Sequence, residues 1–370
     1  MNVLFLHQGR PRPHETMGLV RARHAIDVGL PYAQGDVTPT FVEMPPFTRW
    51  QRRWMRPVQR WDKLNLQSVR WHLVRGWVAR DLIKQQDQIS HPDVVHVTTV
   101  HVSFLLADVQ RRLPCVLSVD TLVGDWARAK RFVPADARTP SYLKPLEPLE
   151  HLALRAAPLN IAWTDTVAAR IREFEPRAKV TTLHPGLDLE DFRPTPKTGD
   201  GPVRVLFVGG RWEEKGGPDL LAALGPRLGR DVELDIITEP SLPPREGVNL
   251  HRAQPGSSLI QDLFARADLL CLPTLIDAVP FVVLEAMASG VPVVSTRVGS
   301  IPELLGDGGL TCEAGDTAGL AEALGTLIED AARRRAAGEA GRARAEEHYD
   351  ARKTTPELVE LLRGVAADAR

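Results

Sequence analysis

Short apolar runs alternate with longer helical patterns along the whole chain. The runs are rich in β-branched residues and lack polar alternation, which is the pattern of strands covered on both faces in parallel sheets. Strands that alternate with helices in this way predict an α/β fold with doubly wound sheets and right-handed crossovers. The predicted strands are 3–6, 40–42, 94–97, 115–119, 159–162, 180–183, 203–208, 232–237, 269–272, 291–295 and 310–312.

A segment rich in proline, glycine and charge interrupts this pattern near the middle of the chain. It reads H-P-G-L-D-L-E-D-F-R-P-T-P-K-T-G-D-G-P, and the strand pattern restarts directly after it. A chain of 370 residues is also too long for one ordinary hydrophobic core. We predict an N-terminal Rossmann-like domain over 1–185, a linker over 186–202, a second Rossmann-like domain over 203–345, and a helical tail over 346–370 that could pack back on the first domain.

Composition narrows the class of protein. Apolar residues make up 43% and charged residues 25%, as in ordinary globular proteins, and the net charge of −1 provides no overall field for nucleic acid. Cys115, Cys271 and Cys312 lack metal-ligand spacing, so we expect reduced thiols and no metal site. The first apolar run is short and no run approaches the roughly 20 residues of a membrane span, so we expect a cytoplasmic protein.

Two carboxylates flank an apolar run in the segment D-A-V-P-F-V-V-L-E-A-M-A-S-G, which covers residues 277–290. Asp277 and Glu285 are eight positions apart. An unpaired charge in a core costs several kcal/mol. Two acceptor groups that bind the hydroxyls of one ligand explain the pattern better.

A glycine-rich turn follows the predicted strand 203–208 and reads G-G-R-W-E-E-K-G-G-P. Gly209 and Gly210 permit close approach to the backbone, while Arg211 and Lys215 supply positive charge. A helix beginning near Gly217 would add its own positive end to this site. The turn therefore suits an anion such as a phosphate, although an ordinary tight turn is the alternative when it is considered alone.

These segments together resemble the retaining nucleotide-sugar glycosyltransferases of family 4, also called glycosyl transferases group 1. The E-x7-E signature is present with Asp277 as its first member, and the glycine-rich turn resembles the family's G-R-x-x-x-x-K-G element. Further matches are the linker P-G-L-D-L-E-D-F, the A-D-x-x-x-x-P-T element ending at Thr274, and G-S-I-P-E at 299–303. The resemblance covers most of 184–312 and implies the GT-B fold, with two Rossmann-like doubly wound domains facing an interdomain cleft.

The resemblance also implies a role for each residue of the donor site. Glu285 would bind the ribose hydroxyls, Asp277 the hydroxyls of the transferred sugar, and Arg211 and Lys215 the diphosphate. Pro280 stands where many relatives have glycine, and a proline removes one backbone N–H donor. The remaining donor-binding positions are Gly209, Gly210, Val279, Pro280, Phe281 and Val282.

The activity implied is transfer of a sugar from a nucleoside diphosphate sugar to an acceptor hydroxyl, with retention of configuration. The nucleotide sugar is a co-substrate, and neither a cofactor nor a metal is expected because the cations can stabilise the leaving diphosphate. The acceptor could be a carbohydrate, a lipid-linked molecule or a small molecule. A catalytically impaired paralogue that binds nucleotide sugars as an interaction subunit, and a nucleotide-sugar epimerase on the same fold, are the alternatives.

The first half of the chain offers fewer candidates. Asp120 follows the strand 115–119, where many relatives place a histidine that contacts the donor sugar, and a capping role is its alternative. His101 lies beyond the end of a strand and is the second catalytic candidate, whereas His96 is interpreted as structural. Arg10 and Arg12, in the loop after the first strand, could reach phosphate or acceptor.

The segment 49–80 is rich in tryptophan and arginine. It contains Trp50, Trp54, Trp61, Trp71 and Trp77 of the eight tryptophans in the chain. Basic helices with interfacial tryptophans bind anionic membranes, which would suit a lipid-linked acceptor and place the protein at the inner face of the membrane. Packing of these rings on the first domain is the alternative.

Overall fold

The computed structural model describes residues 1–7, 17–54, 67–125, 143–196, 201–253 and 258–369. The chain divides into two compact units. The first unit consists of Met1–Pro185 with Arg352–Arg370, and the second unit is Gly186–Ala351. Within these described ranges, each unit contains one six-stranded sheet.

The sheet of the first unit has the strand order β2-β1-β3-β4-β5-β6, and all its neighbouring strands are parallel. The residues of β3 and β4 are buried throughout, which explains why their sequences are mostly apolar, with His96, Thr98 and Ser118 as the polar members. The strands are β1 (Asn2–His7), β2 (Thr38–Glu43), β3 (Val94–Thr98), β4 (Cys115–Val119), β5 (Asn160–Ala162) and β6 (Val180–Thr182).

Helices pack on this sheet from both parts of the first unit. Leu358, Leu362 and Ala366 of the final helix join the apolar face of β1 formed by Val3 and Phe5. The helices are α1 (Met17–Gly29), α2 (Arg49–Trp54), α3 (Gln67–Ser90), α4 (Ala107–Gln110), α5 (Glu147–Ala156), α6 (Asp165–Phe174) and, after the second unit, α13 (Ala351–Asp368).

The sheet of the second unit has the order β12-β11-β10-β7-β8-β9 and is also parallel throughout. Its strands are β7 (Val203–Val208), β8 (Val232–Ile237), β9 (Val248–His251), β10 (Leu269–Leu272), β11 (Val293–Thr296) and β12 (Gly309–Cys312). Its helices are α7 (Gly217–Leu224), α8 (Ser258–Arg266), α9 (Phe281–Ala288), α10 (Ile301–Leu305), α11 (Thr317–Glu329) and α12 (Ala331–His348).

The strand prediction is confirmed for every apolar run it named, with small shifts at the ends, but the list of apolar runs did not include β9. This strand reads V-N-L-H, and its residues are at least partly exposed because it pairs with β8 alone at the edge of the sheet. An edge strand needs no continuous apolar run, so the rule used for buried strands does not detect it.

In the part of the chain that the structure describes, no helix is both long enough and apolar enough to cross a membrane.

Candidate functional site

The glycine-rich turn after β7 packs closely against the segment after β10. Gly216 has a φ of +74°, and a Cβ at this position would lie 1.9 Å from the carbonyl oxygen of Pro273. The amide of Leu275 donates a hydrogen bond to the carbonyl oxygen of Glu214 at 2.9 Å. Because β7 and β10 are neighbouring parallel strands, these two segments meet at the carboxyl edge of the sheet.

Gly209 and Gly210 occupy the start of this turn. The Gly209 amide already donates to the carbonyl oxygen of Ile237 at 2.9 Å, and a Cβ at Gly209 would lie 2.9 Å from the Cβ of Lys215. The Gly210 carbonyl accepts from the Thr238 hydroxyl at 3.2 Å. Gly209 therefore provides room for the lysine side chain, whereas Gly210 provides room for Glu239, whose Oε1 would lie 2.6 Å from a Cβ at that position.

Lys215 and Asp277 form an ion pair between these two segments. The Nζ of Lys215 contacts the Oδ2 of Asp277 and lies 3.4 Å from the carbonyl oxygen of Ile276. The two side chains are only 16% and 12% exposed. The Oδ1 of Asp277 accepts a hydrogen bond from the amide of Ala278 at 3.1 Å. The structure thus joins directly two residues that the sequence reasoning assigned to different parts of a ligand.

Arg211 forms the second ion pair of the turn. Its Nη1 lies 2.8 Å from the Oε2 of Glu214, and the two side chains are 46% and 34% exposed. The predicted helix start is confirmed, since α7 begins at Gly217 with a proline in its first turn. Two cations and the positive end of α7 therefore lie in one short turn, which can stabilise an anion.

Glu285 lies in α9, which begins immediately after Pro280. Its side chain is buried, and Pro280 takes the position before the first helical residue, with no side-chain cap. Phe281 and Val279 are also buried, whereas Val282 is half-buried. Since the apolar side chains of Val279 and Phe281 face the core, the backbone is the part of these residues that could serve a ligand.

In the first unit, Asp120 directly follows β4 and accepts a hydrogen bond from the Thr99 hydroxyl at 3.3 Å. Thr99 follows β3, is buried, and has a φ of +77° with a ψ of 135°. Such angles cost a β-branched residue on the order of 1–3 kcal/mol and are found most often at functional sites. Thr99 is a candidate that the sequence reasoning missed, because backbone angles cannot be read from the letters T-T.

His101 lies in a 3-10 turn, Val100–Val102, and faces another histidine. Its Nδ1 is 3.2 Å from the Nε2 of His72, whose ring stacks on Phe104 with centroids 5.4 Å apart. Burial of the ring lowers the pKa of His101 to about 4, although part of the residue reaches the surface. A neutral imidazole at this position can accept or donate one hydrogen bond.

His96 lies within β3 and is fully enclosed by the sheet. Its Nε2 is 2.7 Å from the Ser118 hydroxyl, and burial, together with the neighbouring His7, lowers the pKa of His96 to about 3. This placement agrees with the structural interpretation of His96. The loop candidates Arg10 and Arg12 lie outside the described residues.

The tryptophan- and arginine-rich segment divides into exposed and buried parts. Trp50 and Trp54 on α2 are 68% and 42% exposed, and their rings stack with centroids 6.5 Å apart. Trp71 instead packs edge-on against Phe47 in the first unit. Trp61 lies outside the described residues. The exposed rings of Trp50 and Trp54 are therefore available for membrane contact, whereas Trp71 packs on the first unit as the alternative interpretation predicted.

Two parallel, doubly wound sheets, one in each unit, are the architecture of proteins with the GT-B fold. A model of "Glycosyltransferase Family 4" matches residues 16–191, and one of "Glycosyl transferases group 1" matches residues 202–330. The two matches account for most of the chain in the expected order. The chain belongs to glycosyltransferase family 4.

Curated relatives match parts of the chain. N-acetyl-alpha-D-glucosaminyl L-malate synthase of Bacillus anthracis is 37% identical over 30% of this chain and 29% of its own length. The GDP-mannose-dependent alpha-(1-6)-phosphatidylinositol monomannoside mannosyltransferase of Mycolicibacterium smegmatis is 31% identical over 52% of this chain and 58% of its own. The matches thus span between about a third and just over half of these two relatives.

Solved structures match the whole chain. Sucrose-phosphate synthase from Thermosynechococcus elongatus has a TM-score of 0.74 and 16% identity, with both chains covered completely. Anabaena HepE, solved in complex with UDP and glucose, has a TM-score of 0.67 and 17% identity and covers 98% of this chain and all of its own. At these identities the likeness shows the fold.

Proposed function

We propose that the protein transfers a sugar from a nucleoside diphosphate sugar to the hydroxyl of an acceptor. The observation that carries this proposal is the meeting of Lys215 and Asp277 at the carboxyl edge of one sheet, with Arg211 in the same turn and Glu285 in the helix that follows. The first two groups suit a phosphate and a sugar hydroxyl, respectively. The binding of UDP and glucose by Anabaena HepE, which shares the fold, supports this class of donor.

The chemistry requires stabilisation of the negative charge that develops on the leaving diphosphate. Lys215, Arg211 and the amino end of α7 are fixed positive groups, and such preorganised groups are effective in transition-state stabilisation. When phosphate oxygens bind, Lys215 gives up its contact with Asp277 and Arg211 its contact with Glu214. On this account the transfer needs no metal ion, and it retains the anomeric configuration as in the family that the chain resembles.

The acceptor side of the proposal rests on the first unit. Asp120 and His101 both follow buried parallel strands, at the edge where ligands of such sheets bind. Asp120 can accept a hydrogen bond from a hydroxyl of the donor sugar or of the acceptor, and the neutral His101 can orient an acceptor hydroxyl. One relative is named as a synthase of N-acetyl-alpha-D-glucosaminyl L-malate, and another as a phosphatidylinositol monomannoside mannosyltransferase. These names favour transfer over epimerisation and leave carbohydrate, lipid-linked and small acceptors as the classes to test.

The experiment is a thermal-shift screen with UDP-, GDP- and ADP-sugars, followed by incubation of the best donor with acceptors of each class. We expect one nucleotide series to stabilise the protein, by about 2.7 kcal/mol when the ligand is at 100 times its Kd. We expect sugar transfer with the same donor, at a rate that EDTA leaves unchanged. No stabilisation by any of the three series would contradict the proposal.

We also propose that α2 contacts an anionic membrane surface. Its sequence R-W-Q-R-R-W contains no acid, and Arg52, Arg53, Trp50 and Trp54 are all exposed. A stacked pair of exposed indole rings beside arginines is suited to the interface between lipid headgroups and acyl chains. A lipid-linked acceptor would be reached most easily by an enzyme held at that surface.

Co-sedimentation with vesicles tests this contact. The protein should bind vesicles of phosphatidylcholine with phosphatidylglycerol and not vesicles of phosphatidylcholine alone. Replacing Arg52 and Arg53 with Gln should weaken binding roughly 30-fold, at about 1 kcal/mol for each arginine. Replacing the exposed Arg111 and Arg112 with Gln removes the same charge elsewhere in the first unit and should have little effect. Equal effects of the two pairs would contradict docking through α2.

A further inference from the structure

Both cations of the turn after β7 face protein carboxylates, but the two ion pairs differ in burial. The Arg211–Glu214 pair is 46% and 34% exposed, so water and salt screen it. The Lys215–Asp277 pair is only 16% and 12% exposed, so its two charges act on each other with less screening. A phosphate that approaches Lys215 therefore meets a cation whose charge is already balanced.

The carboxylate of Asp277 is held in place from both of its oxygens. Oδ2 contacts Lys215, and Oδ1 accepts from the Ala278 amide at 3.1 Å. The backbone on either side is also fixed, since the Thr274 hydroxyl donates to the Ile276 carbonyl at 2.9 Å and the Ser300 amide to the Ala278 carbonyl at 3.2 Å. Asp277 thus keeps its negative charge close to any anion that Lys215 binds.

We infer that Asp277 is a specificity-determining residue that makes phosphate binding at Lys215 depend on a sugar. A bare nucleoside diphosphate would take Lys215 away from Asp277. The Oδ2 of the fixed carboxylate would then face phosphate oxygens without a donor, while Oδ1 keeps the Ala278 amide. A nucleoside diphosphate sugar brings hydroxyls that donate to the released carboxylate. These hydroxyls take the place of Lys215 as the hydrogen-bond partner of Asp277.

The consequence is a preference for the donor substrate over the nucleotide product. The carboxylate opposes binding of the free diphosphate after the sugar has left, which favours product release. This inference rests on the proposed function, because it requires a nucleotide sugar at this site.

Isothermal titration of four proteins with UDP, GDP and ADP, and with UDP-glucose, GDP-mannose and ADP-glucose, tests the inference. In Asp277→Asn the carboxylate charge is gone, so the bare nucleotide of the preferred series should bind about tenfold more tightly than to the wild type. The sugar ester should gain no affinity. Asp277→Glu keeps the charge and should keep the wild-type order of affinities.

Glu213→Gln is the matched control, because Glu213 is an exposed acid of the same turn. It should leave the affinity for the bare nucleotide unchanged. If Asp277→Asn loses affinity for the sugar ester while its affinity for the bare nucleotide stays at the wild-type value, Asp277 is a simple sugar contact and the inference is wrong.

The wild type provides a test that does not depend on the folding of a variant. It should bind the sugar ester more tightly than the bare nucleotide, and equal affinities would overturn the inference while leaving the proposed function intact. No binding of any of the six ligands by the wild type would overturn the proposed function, and the inference with it.

Discussion

The carboxyl edges of the two sheets have the same topology but different chemistry. At the edge of the second unit, Lys215 and Asp277 are full charges that neutralise each other across neighbouring segments. At the edge of the first unit, the polar groups are Asp120, the strained Thr99 and a histidine whose pKa burial lowers, His101. The proposed function assigns the diphosphate to the charged edge and hydroxyl groups to the edge with fewer charges.

The interior of the first sheet extends this contrast. Burial and the nearby Arg23 lower the pKa of His7 to about 4, and burial lowers the pKa of His96 to about 3. Among the described residues, the Nε2 of His7 has no hydrogen-bond partner. Neutral imidazoles are therefore part of the folded first unit at neutral pH, and protonation must destabilise it.

The largest expected effect that separates the two units is a loss of stability in acid. Between about pH 6.5, where an unfolded histidine takes up a proton, and about pH 4, where His7 does so in the folded chain, the unfolded state binds more protons. Stability of the first unit should therefore fall with pH by about 1.4 kcal/mol per pH unit for each such histidine. The loss of stability is measured by amide hydrogen exchange in β1, β3 and β4 as a function of pH. The rates are corrected for intrinsic exchange and compared with those of β7, β8 and β10.

His96→Gln should make the pH dependence of the first unit shallower, because glutamine can bond Ser118 but does not titrate in this range. His91→Asn changes an exposed histidine and is the control. Parallel loss of protection in both sheets as the pH falls would contradict the contrast between the units.

A smaller effect is expected from Thr99, which we propose positions Asp120. Thr99→Ala removes the hydroxyl that donates to Asp120 and should lower acceptor-dependent turnover about tenfold, with nucleotide binding unchanged. Thr99→Ser keeps the hydroxyl and should restore most of the turnover. Thr99→Gly should be as slow as Ala but more stable than the wild type, since glycine tolerates the positive φ.

These three variants separate a positioning role from a structural one. A merely structural Thr99 would make turnover follow stability across the series, so that Thr99→Gly would be the most active of the variants. That order, or wild-type turnover in Thr99→Ala, would contradict the role.

The sequence was sufficient for most of the fold because buried parallel strands have continuous apolar runs. The rule of apolar runs did not detect β9, where V-N-L-H lies at an exposed edge and shows no such run. The helix start at Gly217 was also predictable, since glycine and proline mark it locally.

The site was predictable only in part. The sequence marked Lys215 and Asp277 separately as site candidates, but their direct pairing depends on how far the turns after β7 and β10 extend over the sheet. The proposed role of Thr99 depends on a backbone angle. The contact between His101 and His72 depends on the packing of α3 against a 3-10 turn. Such tertiary features leave no local pattern in the sequence.

The most direct test of the central claim is the shift in Tm that the best nucleotide sugar produces in Lys215→Gln. The glutamine amide can still donate to Asp277, so the change mainly removes the positive charge that we assign to the diphosphate. Arg230→Gln removes an exposed cation from the same unit and is the control. We expect the ligand-induced shift to persist in Arg230→Gln and to disappear in Lys215→Gln. An undiminished shift in Lys215→Gln would contradict a phosphate site at this turn.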